Sequence, residues 1–303
     1  MIGFDSLPNE ITDILKGKFG QMIDLEPLRG VVGSGSSTCR LQYRDGSAVV
    51  KSSQSPRERI FYELYSQELR ETGVHIADVY WAGMDSLQNN WIVLEDVPGV
   101  FPQEQWQNNP MQLQVLFNLH SYRFSNSPVD NEEIWYRPTW DEGLTELALT
   151  WFTGTSQVDE VKKLLLNAQA QCQGLFVPNC WLSGDPNPTN WRLRNDGALV
   201  MIDWERFCQG NPAIDLAITM PGLGTQDLSL EKAIAKTYWH LWSDTNEEAF
   251  SSESELAFQI RLGKLWTAVE FLANAVLDGD HHSQTDSIEF IVYRIPEILR
   301  TLR

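Results

Sequence analysis

The chain has 303 residues, 42% hydrophobic and 21% charged, the composition of an ordinary globular protein long enough for two lobes. Lys and Arg number 23 against 41 Asp and Glu, and the formal net charge of −18 argues against a nucleic-acid duplex or an anionic membrane surface as partner. Cys39, Cys172, Cys180 and Cys208 lack CxxC spacing and are expected to be reduced, partly buried thiols. The first residues have neither the basic nor the apolar segment of a signal peptide, and no uncharged apolar run approaches membrane-spanning length. The expected setting is the cytoplasm.

Residues 6–19 are predicted to form a helix, with Ser6 as cap, Pro8 in the first turn, and Ile11, Ile14 and Leu15 on one face. Leu28 to Val32 reads as a strand running into Gly33-Ser34-Gly35-Ser36-Ser37-Thr38. Cys39 to Tyr43 returns, Asp45-Gly46 makes a two-residue turn, and Ser47 to Lys51 is a third strand. Pairing Arg44 with Ser47 sets Lys51 opposite Arg40, just beyond the small-residue loop. Backbone N–H groups can close on phosphates only where side chains are absent or small, and a lysine beneath them supplies a positive charge. Gly33, Ser34, Gly35, Ser36 and Lys51 are therefore candidate phosphate-binding residues.

Pro56 opens a helix to about Leu69, with Ile60, Leu64 and Leu69 inward. Glu58 stands in its first turn, where a carboxylate either complements the helix dipole or pairs with Lys51; Glu63 is the rival for that pairing. Val74 to Ala82 and Asn90 to Leu94 complete a five-stranded N-terminal sheet with one helix. Glu95-Asp96-Val97-Pro98-Gly99 is a polar crossover, and the chain divides there into residues 1–96 and 97–303.

The pattern then turns helical. Met111 to Tyr122 carries Leu113, Leu116, Phe117 and His120 at helical spacing, with His120 read as a satisfied core histidine. Residues 125–155 show no clear period, and Ser156 to Gln173 is a helix. Asn211-Pro212-Ala213-Ile214-Asp215 opens another, and residues 229–243, 254–277 and 284–302 complete the helical part. Two sets there join an aromatic ring to a carboxylate: Trp140 with Asp141 and Glu142, and Trp266 with Glu270, which share a helix face. Such sets suit an ammonium group, although ordinary packing accounts for them equally well.

Between these helices lies the most informative stretch, Leu182 to Asp203. Pro186 and Pro188 bar a helix, while Trp191 to Arg194 and Ala198 to Ile202 read as short strands joined by the two-residue turn Asp196-Gly197. That turn places Asn190 opposite Asp203, an amide oxygen beside a carboxylate, two hard ligands suited to Mg²⁺. Asp185 stands on the loop just ahead. As an isolated residue it would serve equally as an Asx-turn carboxylate, but next to a magnesium pair it points to phosphoryl transfer.

Taken in order, the Gly-rich loop, Lys51, a Glu in the following helix, Ser-Gly-Asp-Pro-Asn-Pro-Thr-Asn, Ile-Asp-Trp-Glu and Asn-Pro-Ala-Ile-Asp-Leu-Ala resemble aminoglycoside phosphotransferases and choline/ethanolamine kinases. The resemblance runs over roughly residues 25–280. It implies an α+β, bilobal protein-kinase-like fold: a five-stranded antiparallel N-terminal sheet with a helix, then a mostly helical C-terminal lobe carrying a catalytic β-hairpin. It implies ATP- and Mg²⁺-dependent phosphorylation of a hydroxyl on a small molecule, with a cationic acceptor of aminoglycoside, choline or amino-sugar type in view.

By the same resemblance Asp185 is the catalytic carboxylate, Asn190 and Asp203 hold the metal, and Lys51 binds phosphate with Glu58 as its partner. Glu95 to Val97 is the hinge whose backbone meets adenine, and Asp215 ties down the catalytic loop. Asp141, Glu142, Trp266 and Glu270 are the acceptor-site candidates. Only eleven residues lie between Asp203 and Asp215, too few for the activation segment with which a protein kinase holds a peptide. The family carries His before Gly-Asp where this chain has Ser183, which bears on the rigidity of that loop. It leaves, as the alternative, a catalytically weak nucleotide-binding regulatory protein of the same fold. The expected partner is a small molecule, with no nucleic acid or membrane. ATP and GTP stay open, as do monomer and homodimer.

Overall fold

The computed structural model describes residues 7–28, 37–124, 135–223, 228–243, 250–279 and 285–302. The Ser6 cap, strand positions 29–32 and the loop candidates Gly33, Ser34, Gly35 and Ser36 lie outside the described residues.

Helix α1 (Asn9–Phe19) leads into strands β1 (Met22–Leu28), β2 (Ser37–Tyr43) and β3 (Gly46–Ser53). Helices α2 (Arg57–Leu64) and α3 (Ser66–Arg70) follow, then strands β4 (Val79–Met84), β5 (Asn90–Glu95) and β6 (Gly99–Val100). Next come helices α4 (Pro110–Ser121), α5 (Glu142–Leu149) and α6 (Val158–Gln171), and the short strands β7 (Cys180–Leu182), β8 (Trp191–Leu193), β9 (Leu199–Met201) and β10 (Cys208–Gly210). Helices α7 (Ala213–Ile218), α8 (Ser229–Ser243), α9 (Glu253–Asp278) and α10 (Thr285–Thr301) close the chain. Two compact units result: residues 1–100, 124–136 and 191–207 form one, and residues 101–123, 137–190 and 208–303 the other.

In the first unit an antiparallel sheet has the order β1-β2-β3-β5-β4. Its period-two alternation sends Cys39, Leu41, Tyr43, Ala48 and Val50 to one face, where they pack with Leu7, Ile11 and Leu15. Ile14 does not share that face and is exposed. The first strand also starts at Met22, six residues before the expected Leu28, because α1 stops at Gly20 and the chain turns straight into the sheet.

The β2–β3 turn departs from expectation by two residues. Tyr43 pairs with Gly46 across an Arg44-Asp45 loop, so Lys51 faces Thr38 rather than Arg40. The α1–β1 corner decides this. The Arg44 and Asp45 amides donate to Gln21 O and Phe19 O, and a Cβ at Gly46 would lie 2.7 Å from the Phe19 ring. The helix expected over 56–69 is broken at Tyr65, and its buried side is Glu58, Phe61, Tyr62, Tyr65 and Leu69. Leu64, expected inward, is exposed. Phe61 stacks on Trp204 at 4.2 Å and meets Phe207 edge-on at 4.9 Å, and these contacts rotate the helix.

The β8–β9 hairpin also closes differently. Trp191 pairs with Met201 and Leu193 with Leu199, while Arg194 N donates to Ala198 O. The loop is therefore the three residues Asn195, Asp196 and Gly197, with Gly197 in the left-handed region at φ +87°, the usual third position of such loops. This one-residue slip takes Asn190 out of register with Asp203, and the ladder ends at Trp191–Met201. β6 joins β8 on its other side.

In the second unit β7 pairs with β10, and the 26-residue α9 lies against α5, α7, α8 and α10. Asn109, Asp141 and Ser252 cap α4, α5 and α9 by accepting backbone N–H groups. All four cysteines are buried, and none is in a disulfide. Among the described residues no helix is long and apolar enough to cross a membrane. The five-stranded antiparallel sheet followed by a mostly helical chain agrees with the expected fold class.

The β4–β5 turn supplies a test of the sheet. Asp85 accepts from the Leu87 and Asn89 amides, the Asn89 side chain and Trp91 Nε1. The Asn89 bond leads these in lowering its carboxyl to about 2, against an ordinary value near 4. A depressed carboxyl stabilises above its unfolded value and stops doing so as pH falls through the folded one. Titration of the Asp85 carboxyl by NMR should show a midpoint near 2, with loss of amide protection at Leu87 and Asn89 in the same window. A midpoint at 4 with unchanged protection contradicts the turn geometry.

Candidate active site

Lys51 is the centre of charge in the first unit. Its Nζ lies 2.6 Å from Glu58 Oε2, 3.0 Å from Asp203 Oδ1 and 3.7 Å from Glu205 Oε2. β3 brings the lysine, the first turn of α2 brings Glu58, and the segment after β9 brings the other two. Glu58 is buried and also accepts from Trp204 N. Glu63 pairs instead with Arg59 one helical turn away, so the Lys51 partner on α2 is Glu58.

Burial acts most strongly on the Lys51 ammonium and would lower its pKa, but the three carboxylates together hold it above the ordinary lysine range. Burial pushes the Glu58 carboxyl up; Lys51 pulls it down, and Asp203 and Glu205 add to the push. One positive charge against three negative ones leaves an excess that a divalent cation would offset. Asp203 has φ +63°, a left-handed conformation costing an aspartate about 1 kcal/mol, as seen where a chain aims a side chain at a site.

The catalytic-loop candidates lie in the second unit. Asn190 Nδ2 donates to Asp185 O at 3.0 Å and to Asp185 Oδ2 at 3.1 Å, which turns its Oδ1 away from that carboxylate. The loop that carries them is fixed by Asp215, whose Oδ2 accepts from Ser183 N at 2.8 Å and whose Oδ1 accepts from Gly184 N at 3.0 Å. Gly184 has φ +77°, which lets two successive amides converge on one carboxylate. Asp215 also accepts from His120 on α4. The Ser183 hydroxyl is buried without a hydrogen-bond partner.

At the crossover, Arg194 Nε lies 2.9 Å from Glu95 Oε1, and Arg40 Nε and Ser47 Oγ each reach Asp96 Oδ2 at 2.7 Å. Burial would raise the Glu95 carboxyl, but Arg194 and the Asp78 amide hold it below its ordinary value. Val97 is buried.

The acceptor candidates have other occupations. Trp140 is buried, its Nε1 donating to Thr145, and the Asp141 carboxylate is spent on the Leu144 amide as the cap of α5. Trp266 is fully buried, donating to Thr139 O and packing on Phe176, so neither ring offers an open face to a cation. Glu270 is buried and Glu142 exposed. Glu205 was legible two residues after Asp203 in Ile-Asp-Trp-Glu, whereas Tyr238, which meets His120, carried no signal.

The chain matches the model of the APH family, phosphotransferase enzymes, over residues 28–250, and it belongs to that family. A search of curated proteins finds no match. Among solved structures, a thermostable mutant of aminoglycoside phosphotransferase APH(4)-Ia with ADP and hygromycin B is 16% identical, with TM-score 0.59 over 97% of this chain and 99% of that one. Spectinomycin phosphotransferase APH(9)-Ia with ADP and spectinomycin is 13% identical, with TM-score 0.63 over 97% of each chain. Ethanolamine kinase from Plasmodium vivax is 14% identical, with TM-score 0.61 over 99% of this chain and 87% of that one. These likenesses establish the protein-kinase-like fold.

An unpartnered buried hydroxyl costs stability that an apolar methyl does not. Ser183→Ala should raise the unfolding free energy by about 1 kcal/mol in denaturant titration. A loss of similar size would mean that the hydroxyl holds the loop.

Proposed function

We propose that this phosphotransferase moves the γ-phosphoryl group of ATP to a hydroxyl of a small cationic molecule. The observation that carries the proposal is the single Lys51 ammonium among Glu58, Asp203 and Glu205. Residues 1–96 take the nucleotide, with the Gly33–Ser36 loop and Lys51 on the phosphates and the Glu95–Val97 backbone on the base. Residues 97–303 take the acceptor.

Asn190 stands one residue before β8 and Asp203 two after β9, so the ends of one hairpin lead to both proposed metal ligands. Their amide and carboxylate oxygens are the hard donors Mg²⁺ prefers, and Glu205 adds a second carboxylate nearby. Among the described residues no group of three or more His, Cys, Asp or Glu forms a complete metal site. A magnesium ion held by one or two protein oxygens, phosphates and water needs none. When bound, Mg²⁺ neutralises charge on the phosphates.

The rest of the chemistry belongs to the chain. Lys51 holds phosphate oxygens, and Glu58 holds Lys51. The Asp185 carboxylate accepts the proton of the acceptor hydroxyl as its oxygen forms a bond to phosphorus and the bond to the departing ADP oxygen breaks. The acceptor is read as cationic from the net charge of −18, which raises the local concentration of cations.

A screen of aminoglycosides, choline-like amines, amino sugars and nucleosides by ADP release identifies the acceptor. Asp185→Ala should lower turnover at least about 100-fold with nucleotide affinity unchanged, and Lys51→Ala should weaken nucleotide binding. Full turnover in Asp185→Ala contradicts the assignment. Nucleotide binding without Asp185-dependent ADP release would make the chain a nucleotide-binding regulator.

A further inference from the structure

Asp215 is the buried carboxylate that holds the backbone of Ser183 and Gly184, immediately before Asp185. Among the described residues, His120 is a side-chain partner of Asp215. The ring of His120 is itself buried, with Nε2 3.1 Å from Asp215 Oδ2 and Nδ1 2.6 Å from the hydroxyl of Tyr238 on α8. An ionised carboxylate only accepts, so Nε2 must carry the proton that faces it. Nδ1 of the neutral ring is then an acceptor, and Tyr238 must donate. Burial pushes the Tyr238 phenol well up, with Cys180 and Asp215 adding to the push and Trp242 opposing it, so the hydroxyl keeps its proton. The tautomer of His120 is thus set from both sides.

We propose that Tyr238 and His120 are positioning residues for phosphoryl transfer, orienting the Asp215 carboxylate that holds the loop beneath Asp185. The role rests on the reading of Asp185 given above. The side chain at position 183 contributes no hydrogen bond, so ahead of Asp185 two amides on one carboxylate hold the loop, while Asn190 holds Asp185 from the other side. That carboxylate needs a donor on its flank to fix its rotamer, and a histidine free to flip or change tautomer would not supply one. Tyr238 removes that freedom. α4 and α8 therefore reach Asp185 through a line of buried hydrogen bonds rather than by direct contact.

Tyr238→Phe removes one oxygen and keeps the packing. It should lower kcat about 10-fold, and His120→Leu, which removes the side-chain donor to Asp215 and leaves only the two amides, about 100-fold, the scale of a 1 Å misplacement. His120→Gln, which can still donate to Asp215, should recover part of the loss. Nucleotide dissociation constants, measured with a fluorescent analogue, should stay within about 2-fold, since Lys51 and its carboxylates are untouched. In ¹⁵N-labelled protein His120 should be protonated at Nε2, and Tyr238→Phe should move the Nδ1 resonance.

Unchanged kcat in folded Tyr238→Phe, or kcat and nucleotide affinity falling together, overturns the proposal. Protonation of His120 at Nδ1 alone overturns it independently of activity. A wild-type enzyme that releases no ADP removes the functional reading and this inference with it; an active wild type with equally active variants removes only this inference. If His120→Leu does not fold, Tyr238→Phe and the nitrogen spectra carry the test.

Discussion

A lysine ammonium at the centre of three carboxylates is unstable as an isolated arrangement, and the first compact unit is built to hold it. Taking charges out of water costs several kcal/mol per ion, recovered only when geometry and extra hydrogen bonds are good. Lys51 and Glu58 meet that condition at 2.6 Å, with the Trp204 amide as a further donor to Glu58. The Phe61–Trp204–Phe207 stack fixes α2 against the segment that carries Asp203 and Glu205, so apolar packing delivers the charges to one another. What remains is excess negative charge beside a half-exposed Asp203, the condition under which a hard divalent cation is welcome.

The second unit solves its problem with backbone rather than side-chain charge. Two successive amides converge on Asp215, and this is possible because Gly184 adopts a positive φ. Asn190 is spent half on Asp185 and presents its other half elsewhere. A loop held by its backbone tolerates a side chain that contributes nothing, and the Ser183 hydroxyl is buried without a hydrogen-bond partner. The burden moves to whatever orients Asp215, and there His120 and Tyr238 stand.

Much of this was legible beforehand. The strand pattern around β2, β3 and β5 and the helices over 111–122 and 254–277 follow from local propensity and periodicity, and the pairing of Lys51 with Glu58 follows from the family resemblance. The errors cluster where two local solutions differ little in energy. Asp45-Gly46 is a good turn, yet Arg44-Asp45 is chosen because Phe19 fills the space beside Gly46. Asp196-Gly197 could close a two-residue hairpin, but the chain uses three residues with Gly197 last. Leu69 faces inward as expected, but Leu64 does not, because Phe61 takes the inward place by finding Trp204, a partner far away in sequence.

The amino-acid sequence by itself determined the strands and helices, because periodicity and glycine and proline placement are local properties, and the class of fold followed from the resemblance of its motifs to a known family. Tertiary structure alone decided that Glu58 and not Glu63 meets Lys51, that Glu205 joins them, and that Trp140 and Trp266 belong to the core. It alone brought Tyr238 to His120 and His120 to Asp215, residues from three separate helices. These pairings depend on which helix faces turn inward. That is settled by packing between distant segments, to which nearest-neighbour patterns are blind.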